Sequence, residues 1–134
     1  MYKKLTIDSD QNSIRIVEKT IDEVTGELKI SQDCYGKILV STIEGVNNAI
    51  IHGNKSDSGK KVSVEFRCSE NEFIVKIKDD GDGFNPERIP DPTLPENIEQ
   101  LNGRGIFLMK RLADSIKYSK KGNTVTMTFK IDRD

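Results

Sequence analysis

The 134-residue sequence is poor in several features that mark whole classes of protein. It has no tryptophan, 6% aromatic residues, two cysteines, one histidine and a formal net charge of −1. This charge gives no basic field for nonspecific nucleic-acid binding, and the low aromatic content also disfavours a nucleic-acid module. No apolar run approaches the roughly 20 residues that a membrane-spanning helix needs, and the chain opens without an apolar signal core. We therefore expect a cytoplasmic protein with no direct nucleic-acid or membrane partner.

The cysteines and the length add two further expectations. Cys34 and Cys68 stand alone, without the spacing of a metal site. Isolated cysteines of this kind are predicted to be buried free thiols, in preference to zinc ligands or a disulfide. The length fits one domain that covers residues 1–134 and is long enough to bury a two-layer core.

Alternating apolar and polar residues predict two β-hairpins. The first alternation runs through residues 62–68 and 73–79, on either side of the polar turn SENE. The second runs through residues 116–118 and 125–131, on either side of the turn KKGN. Strict alternation is typical of strands with one buried face.

Helical periodicity appears in three places. Residues 33–52 carry one apolar stripe and are followed by Gly53 as a stop signal, and the stripe consists of Tyr35, Leu39, Ile43, Val46 and Ile50. A shorter helix is predicted to begin at residues 103–105, and an N-terminal strand through residues 5–7 precedes a helix over residues 14–24. This order predicts an α+β fold, a two-layer α/β sandwich with a mostly antiparallel, mixed sheet and helices on one face.

The end of the long helix reads EGVNNAIIHGN, in which Glu44, Asn48 and His52 follow one another at successive turns. They lie 40° apart in succession and face away from the apolar stripe. A solvated polar face is one interpretation. Glycine and asparagine are poor helix formers, however, and a merely solvated face gains nothing from Gly45 and Asn47. The pattern therefore favours a face that is covered by a ligand.

Two glycine-rich stretches flank the only proline-rich segment. DDGDGF, at residues 79–84, follows the first hairpin, and NGRGIF, at residues 102–107, opens the short helix. Glycines at these places let the backbone approach a ligand, and a helix N-terminus favours a phosphate. All four prolines lie between them, which predicts a lid at about residues 82–102. Taken alone, each stretch has an alternative interpretation. The alternatives are a tight turn for DDGDGF, a flexible helix start for NGRGIF and a plain surface loop for the proline-rich segment.

Together the three stretches resemble the nucleotide-binding motifs of the GHKL, or Bergerat-fold, ATPase superfamily. The fragments are EGVNNAIIHGN, KDDGDGF and GRGIFLMKRLAD, and their order covers most of the chain. Within the superfamily, the sequence is most similar to the small bacterial anti-sigma factor serine kinases and their ATP-binding relatives.

The resemblance implies a role for each matching residue. Glu44 would orient or deprotonate the attacking nucleophile as the catalytic residue, and Asn48 would coordinate the Mg²⁺ that bridges the phosphates of ATP. Asp79 would accept a hydrogen bond from the adenine amino group. The remaining nucleotide contacts that it implies are Gly81, Gly83, Gly103, Arg104, Gly105 and Thr124. His52 is expected to be structural and to cap the end of its helix.

The function that the resemblance implies is an ATP-dependent protein serine/threonine kinase. Such a protein sequesters a sigma factor and phosphorylates a small STAS-type antagonist, which regulates transcription. A homodimer through the N-terminal strand and helix is expected from the same resemblance. Two alternatives remain at this point, a non-catalytic ATP-binding regulatory module and the catalytic domain of a histidine kinase. The histidine kinase needs a separate phosphoacceptor helix, and His52 is the chain's only histidine.

Overall fold

A computed structural model describes residues 1–57, 59–81 and 103–133, with the backbone alone at residues 103–107. Its elements in chain order are β1 (Tyr2–Asp8), α1 (Ile14–Glu27), α2 (Gln32–Asn48), a π-helical turn (Ala49–Gly53), β2 (Lys61–Cys68), β3 (Glu72–Asp79), α3 (Gly103–Leu112), β4 (Ser115–Tyr118) and β5 (Thr124–Lys130). A short 3₁₀ turn (Gln11–Ser13) leads into α1.

The five strands form one sheet in the order β1-β2-β3-β5-β4. Every strand pair in this sheet is antiparallel, so the predicted hairpins and the antiparallel character are confirmed, and the described strands include no parallel pair. The register aligns Val64 with both Leu5 and Ile77, which places the apolar residues of neighbouring strands on one face. This face carries the core, and Phe66 and Phe73 pack against each other within it.

The helices cover the apolar face of the sheet. Helix α2 contacts α1, α3 and the strands β3 and β5. Its start is capped by Ser31, whose side chain accepts a hydrogen bond from the backbone N–H of Cys34. Helix α1 is amphipathic and buries Val17, Ile21 and Val24. The arrangement is the two-layer α+β sandwich that the sequence predicts.

The buried face of α2 differs from the predicted stripe. Its buried residues are Cys34, Ile38, Ser41, Thr42, Gly45 and Val46. Tyr35, Leu39 and Ile43 are only partly buried, although they pack against the core. Val46 and Ile50 of the predicted stripe are buried, as expected. Helix α2 contacts α1 and α3 as well as the sheet, so residues outside the stripe are also buried, such as Gly45 against Ile77. Within the described ranges, no helix is long and apolar enough to cross a lipid bilayer.

Candidate functional site

Asp79 is a buried carboxylate at the last position of β3. Its side chain is 7% exposed, and its Oδ1 accepts a hydrogen bond of 2.8 Å from the backbone N–H of Gly81. Its own backbone N–H donates to the carbonyl of Asn123 at 2.9 Å. Burial raises the pKa of the Asp79 carboxyl above its usual range, and the hydrogen bond from Gly81 opposes this only in part. The site therefore holds a desolvated carboxylate with Oδ1 already engaged.

Two glycines make room for this carboxylate. A Cβ atom at Gly53 would lie 2.3 Å from both Cγ and Oδ2 of Asp79. A Cβ atom at Gly81 would lie 1.9 Å from the carbonyl oxygen of Gly53. No side chain fits at either position without moving the backbone or the carboxylate. Gly81 was predicted as a site residue, whereas Gly53 was interpreted only as a helix stop.

The residue after Gly53 is a fully buried asparagine that the sequence reasoning missed. Asn54 is 0% exposed. Its Nδ2 donates to Oγ of Ser9 at 2.6 Å and to the carbonyl of Lys61 at 3.0 Å. Its Oδ1 accepts from the backbone N–H of Asp80 at 2.8 Å. The side chain thus joins the segment after α2 to β2 and to the segments that follow β1 and β3. We call Asn54, Ser9, Lys61 and Asp80 the asparagine bracket.

Helix α2 lies directly against β3 and carries Glu44 and Asn48 one turn apart, both partly buried. Gly45, between them, does not belong to the ligand face that was predicted for it. A Cβ atom there would lie 2.6 Å from Cδ1 of Ile77 in β3. The glycine instead permits α2 to approach the sheet closely, which corrects the sequence-based interpretation.

After Asn48 the helix widens into the π-helical turn. The backbone N–H of Asn54 donates to the carbonyl of Ala49 at 2.8 Å, which is the five-residue spacing of a π-helix. His52 lies in this turn and is exposed. The expectation that His52 caps the helix is wrong, because backbone groups of Asn54 and Ser56 close the helix end.

The remaining predicted residues fall in three places. Thr124 is the first residue of β5, directly after the Asn123 that binds the backbone of Asp79. Gly103, Arg104 and Gly105 form the first residues of α3, so the predicted helix start is confirmed. Gly83, like the whole predicted lid at residues 82–102, lies outside the described residues.

The structure therefore brings part of the predicted site together. Asp79, Gly81 and Thr124 meet at one end of the sheet, and the π-helical turn after Asn48 contacts β3 there. Such an arrangement can hold a polar ligand that offers a donor to the carboxylate. Glu44 and Asn48 lie on the last two turns of α2, just before this π-helical turn.

Comparison with known sequences decides the family. The sequence model of the histidine kinase-like ATPase domain matches residues 7–129. The chain belongs to this family. Among the family's curated proteins, it is 28% identical over 134 residues to the serine-protein kinase RsbW of Bacillus velezensis, covering 95% of this chain and 84% of that protein. It is 26% identical to the serine-protein kinase RsbW of Bacillus subtilis, with the same coverage.

A solved structure supports the histidine kinase-like ATPase fold. The crystal structure of the RsbU and RsbW domains of Rv1364c from Mycobacterium tuberculosis superimposes with a TM-score of 0.73 at 18% identity. The match covers 100% of this chain and 33% of that one. At this level of identity the likeness concerns the fold alone.

Two further observations concern metal ligands and thiols. In the described part of the chain, no three His, Cys, Asp or Glu side chains are grouped so that they could hold a metal ion. Both cysteines are free, as predicted, and Cys34 is buried. Cys68 is only half-buried, because it is the last residue of β2 at the end of the sheet. Burial raises the pKa of the Cys68 thiol, although Arg133 lies near it.

Proposed function

We propose that this protein is an ATP-dependent serine/threonine protein kinase of the anti-sigma factor type. The observation that carries the proposal is the buried carboxylate of Asp79 at the end of β3. It lies in a chain that resembles serine-protein kinases over 95% of its length. Burial, the two surrounding glycines and the adjacent helix α2 together support a nucleotide pocket.

The adenine is recognised by Asp79 in this proposal. Its Oδ1 is occupied by the N–H of Gly81, whereas Oδ2 lies against Gly53 and accepts the hydrogen bond from the adenine amino group. Gly81 and Gly83 let the base pack closely, and Thr124 adds a polar contact from the start of β5. A hydrogen bond to a charged group contributes about 1.5–3 kcal/mol, enough to select for this amino group.

The residues that would hold the phosphates lie on α2 and at the start of α3. Glu44 would orient the acceptor hydroxyl and take up its proton, while the neutral amide oxygen of Asn48 would be the protein ligand of Mg²⁺. When bound, Mg²⁺ would neutralise charge on the phosphates, and one protein ligand would suffice because this ion typically keeps several waters. Gly103 and Gly105 offer backbone N–H groups to the phosphates, and Arg104 adds a positive charge.

The partners follow from the same proposal. The protein acts in the cytoplasm as one domain over residues 1–134, binds a sigma factor and phosphorylates a STAS-type antagonist on a hydroxyl group. A homodimer through β1 and α1 is included in the proposal. Ile16 on α1 is exposed, and Tyr2 on β1 is exposed as well, although Glu65 and Arg67 hold its side chain.

Phosphate transfer from radiolabelled ATP to STAS-type antagonists of the source organism tests this function. The wild type should label its cognate antagonist, and the double variant Glu44→Ala with Asn48→Ala should remain folded and transfer no label. His52→Ala is the control, because His52 is exposed on the turn that follows. ATP binding without labelling of any antagonist would favour the non-catalytic regulatory module.

A further inference from the structure

We propose that Asn54 is a positioning residue for base recognition, which holds Asp79 in place through the backbone of Asp80. The inference rests on the proposed function, since it takes Asp79 to be the residue that binds the adenine amino group. Asn54 does not touch the base in this proposal. Its effect passes through the peptide unit that joins Asp79 to Asp80.

The first step concerns how the two peptide units on either side of the Asp79 Cα atom are held. The N–H of Asp79 donates to the carbonyl of Asn123 on one side, and the N–H of Asp80 donates to Oδ1 of Asn54 on the other. Fixing both N–H groups fixes the backbone direction at Asp79. The chain can then turn so that the N–H of Gly81 reaches Oδ1 of Asp79 at 2.8 Å.

The second step concerns the chemistry that only an amide provides here. Asn54 donates two hydrogen bonds, to Ser9 and Lys61, and accepts one from Asp80. Exchanging the nitrogen and oxygen of the amide would set a donor against the N–H of Asp80, so the network fixes its orientation. An aspartate would lack the two donors, and an aliphatic residue would leave the N–H of Asp80 without its acceptor.

The third step concerns why packing alone does not explain an asparagine at position 54. Burying an amide costs free energy unless its polar atoms are hydrogen-bonded, and an apolar side chain fills a buried site without that requirement. Asn54 is nevertheless 0% exposed and directly follows Gly53, whose missing Cβ accommodates the Asp79 carboxylate. Gly53 thus leaves space for the Asp79 carboxylate, and the next residue, Asn54, holds the backbone that carries it.

The test compares ATP with purine riboside triphosphate, which carries hydrogen in place of the amino group. Binding of both nucleotides is measured by calorimetry for the wild type, Asn54→Ala and Val17→Ala. Val17 is a fully buried residue of α1 outside the asparagine bracket, so its truncation destabilises the protein without touching the bracket. We expect Asn54→Ala to lower ATP affinity roughly tenfold and the affinity for the analogue much less. Val17→Ala should leave the ratio of the two affinities as in the wild type.

The outcomes separate the inference from the proposed function. A wild type that binds neither nucleotide, or that shows no preference for ATP, would overturn the proposed function. A wild type that prefers ATP together with a folded Asn54→Ala variant of unchanged preference would overturn the inference alone. If Asn54→Ala does not fold, Asn54→Ser is measured in its place, with the same loss of preference expected. If neither variant folds, Asn54 is a determinant of the fold and the inference is wrong.

Discussion

Replacing Asp79 by asparagine should lower the affinity for ATP at least tenfold without weakening the fold. The amide has the shape of the carboxyl group, and its oxygen can still accept the hydrogen bond from the N–H of Gly81. The other position, beside Gly53, then carries an NH₂ donor that faces the donor of adenine. Losing a hydrogen bond to a charged group costs about 1.5–3 kcal/mol, which is roughly a ten- to hundredfold loss of affinity.

In the absence of ligand, Asp79→Asn should have a free energy of unfolding equal to or above that of the wild type, although it binds ATP more weakly. Burial raises the pKa of Asp79 above the unfolded value of 3.8, so the native state binds this proton more tightly than the unfolded state does. The stability that the group contributes is greatest at low pH and falls as pH rises from 3.8 through the folded pKa. Above the folded pKa the wild type carries the cost of a buried charge, whereas Asp79→Asn carries no such cost at any pH.

Two measurements check this reasoning. Calorimetry gives the ATP affinity, and urea unfolding between pH 4 and pH 7 gives the free energy of unfolding of both proteins without ligand. We expect the variant to equal or exceed the wild type in stability at pH 7, and its advantage to shrink toward acid pH. Asp132→Asn is the control, because Asp132 is an exposed carboxylate that follows β5. Unchanged ATP affinity in Asp79→Asn, or a variant clearly less stable than the wild type at pH 7, would refute the argument.

Two glycine substitutions give further predictions. Gly53→Ala places a Cβ atom 2.3 Å from the Asp79 carboxylate, so we expect a clear loss of ATP affinity in calorimetry and a loss of about 1–3 kcal/mol in urea unfolding from overpacking. Unaltered affinity would show that the carboxylate can move without consequence. Gly45→Ala places a Cβ atom 2.6 Å from Cδ1 of Ile77, and we expect a net loss of about 1 kcal/mol, since overpacking exceeds the gain in helix propensity. A raised Tm would contradict this.

Local periodicity was sufficient to predict the elements of the fold. The alternation in β2 and β3 depends only on neighbouring residues, and the observed register pairs Val64 with Ile77 as a hairpin requires. The role of Asp79 was inferred from the resemblance to a family motif, because a carboxylate followed by glycines at a strand end is by itself a weak pattern that also fits a tight turn. These features lie within a few residues of one another in sequence.

Features that depend on distant contacts could not be predicted in the same way. Asn54 after a helix-ending glycine is typical of an ordinary turn, and its partner Ser9 lies 45 residues away. Gly45 was assigned to a ligand face because its low helix propensity is visible in the sequence, whereas its contact with Ile77 is not. Cys68 followed the apolar alternation, but its position at the end of the sheet leaves it half-buried.

The π-helical turn sets a constraint on length as well as on residue type. It joins the helix that carries Glu44 and Asn48 to the residues that hold Asp79 in place, and it contains one residue more than an α-helical turn would. Deleting one residue from Ala49–Gly53 would restore ordinary α-helical spacing and rotate Asn54 by about 100° about the helix axis. Ser9 and Asp80 would then be out of its reach. This segment should therefore accept a change of side chain at exposed His52 far more readily than any change in its number of residues.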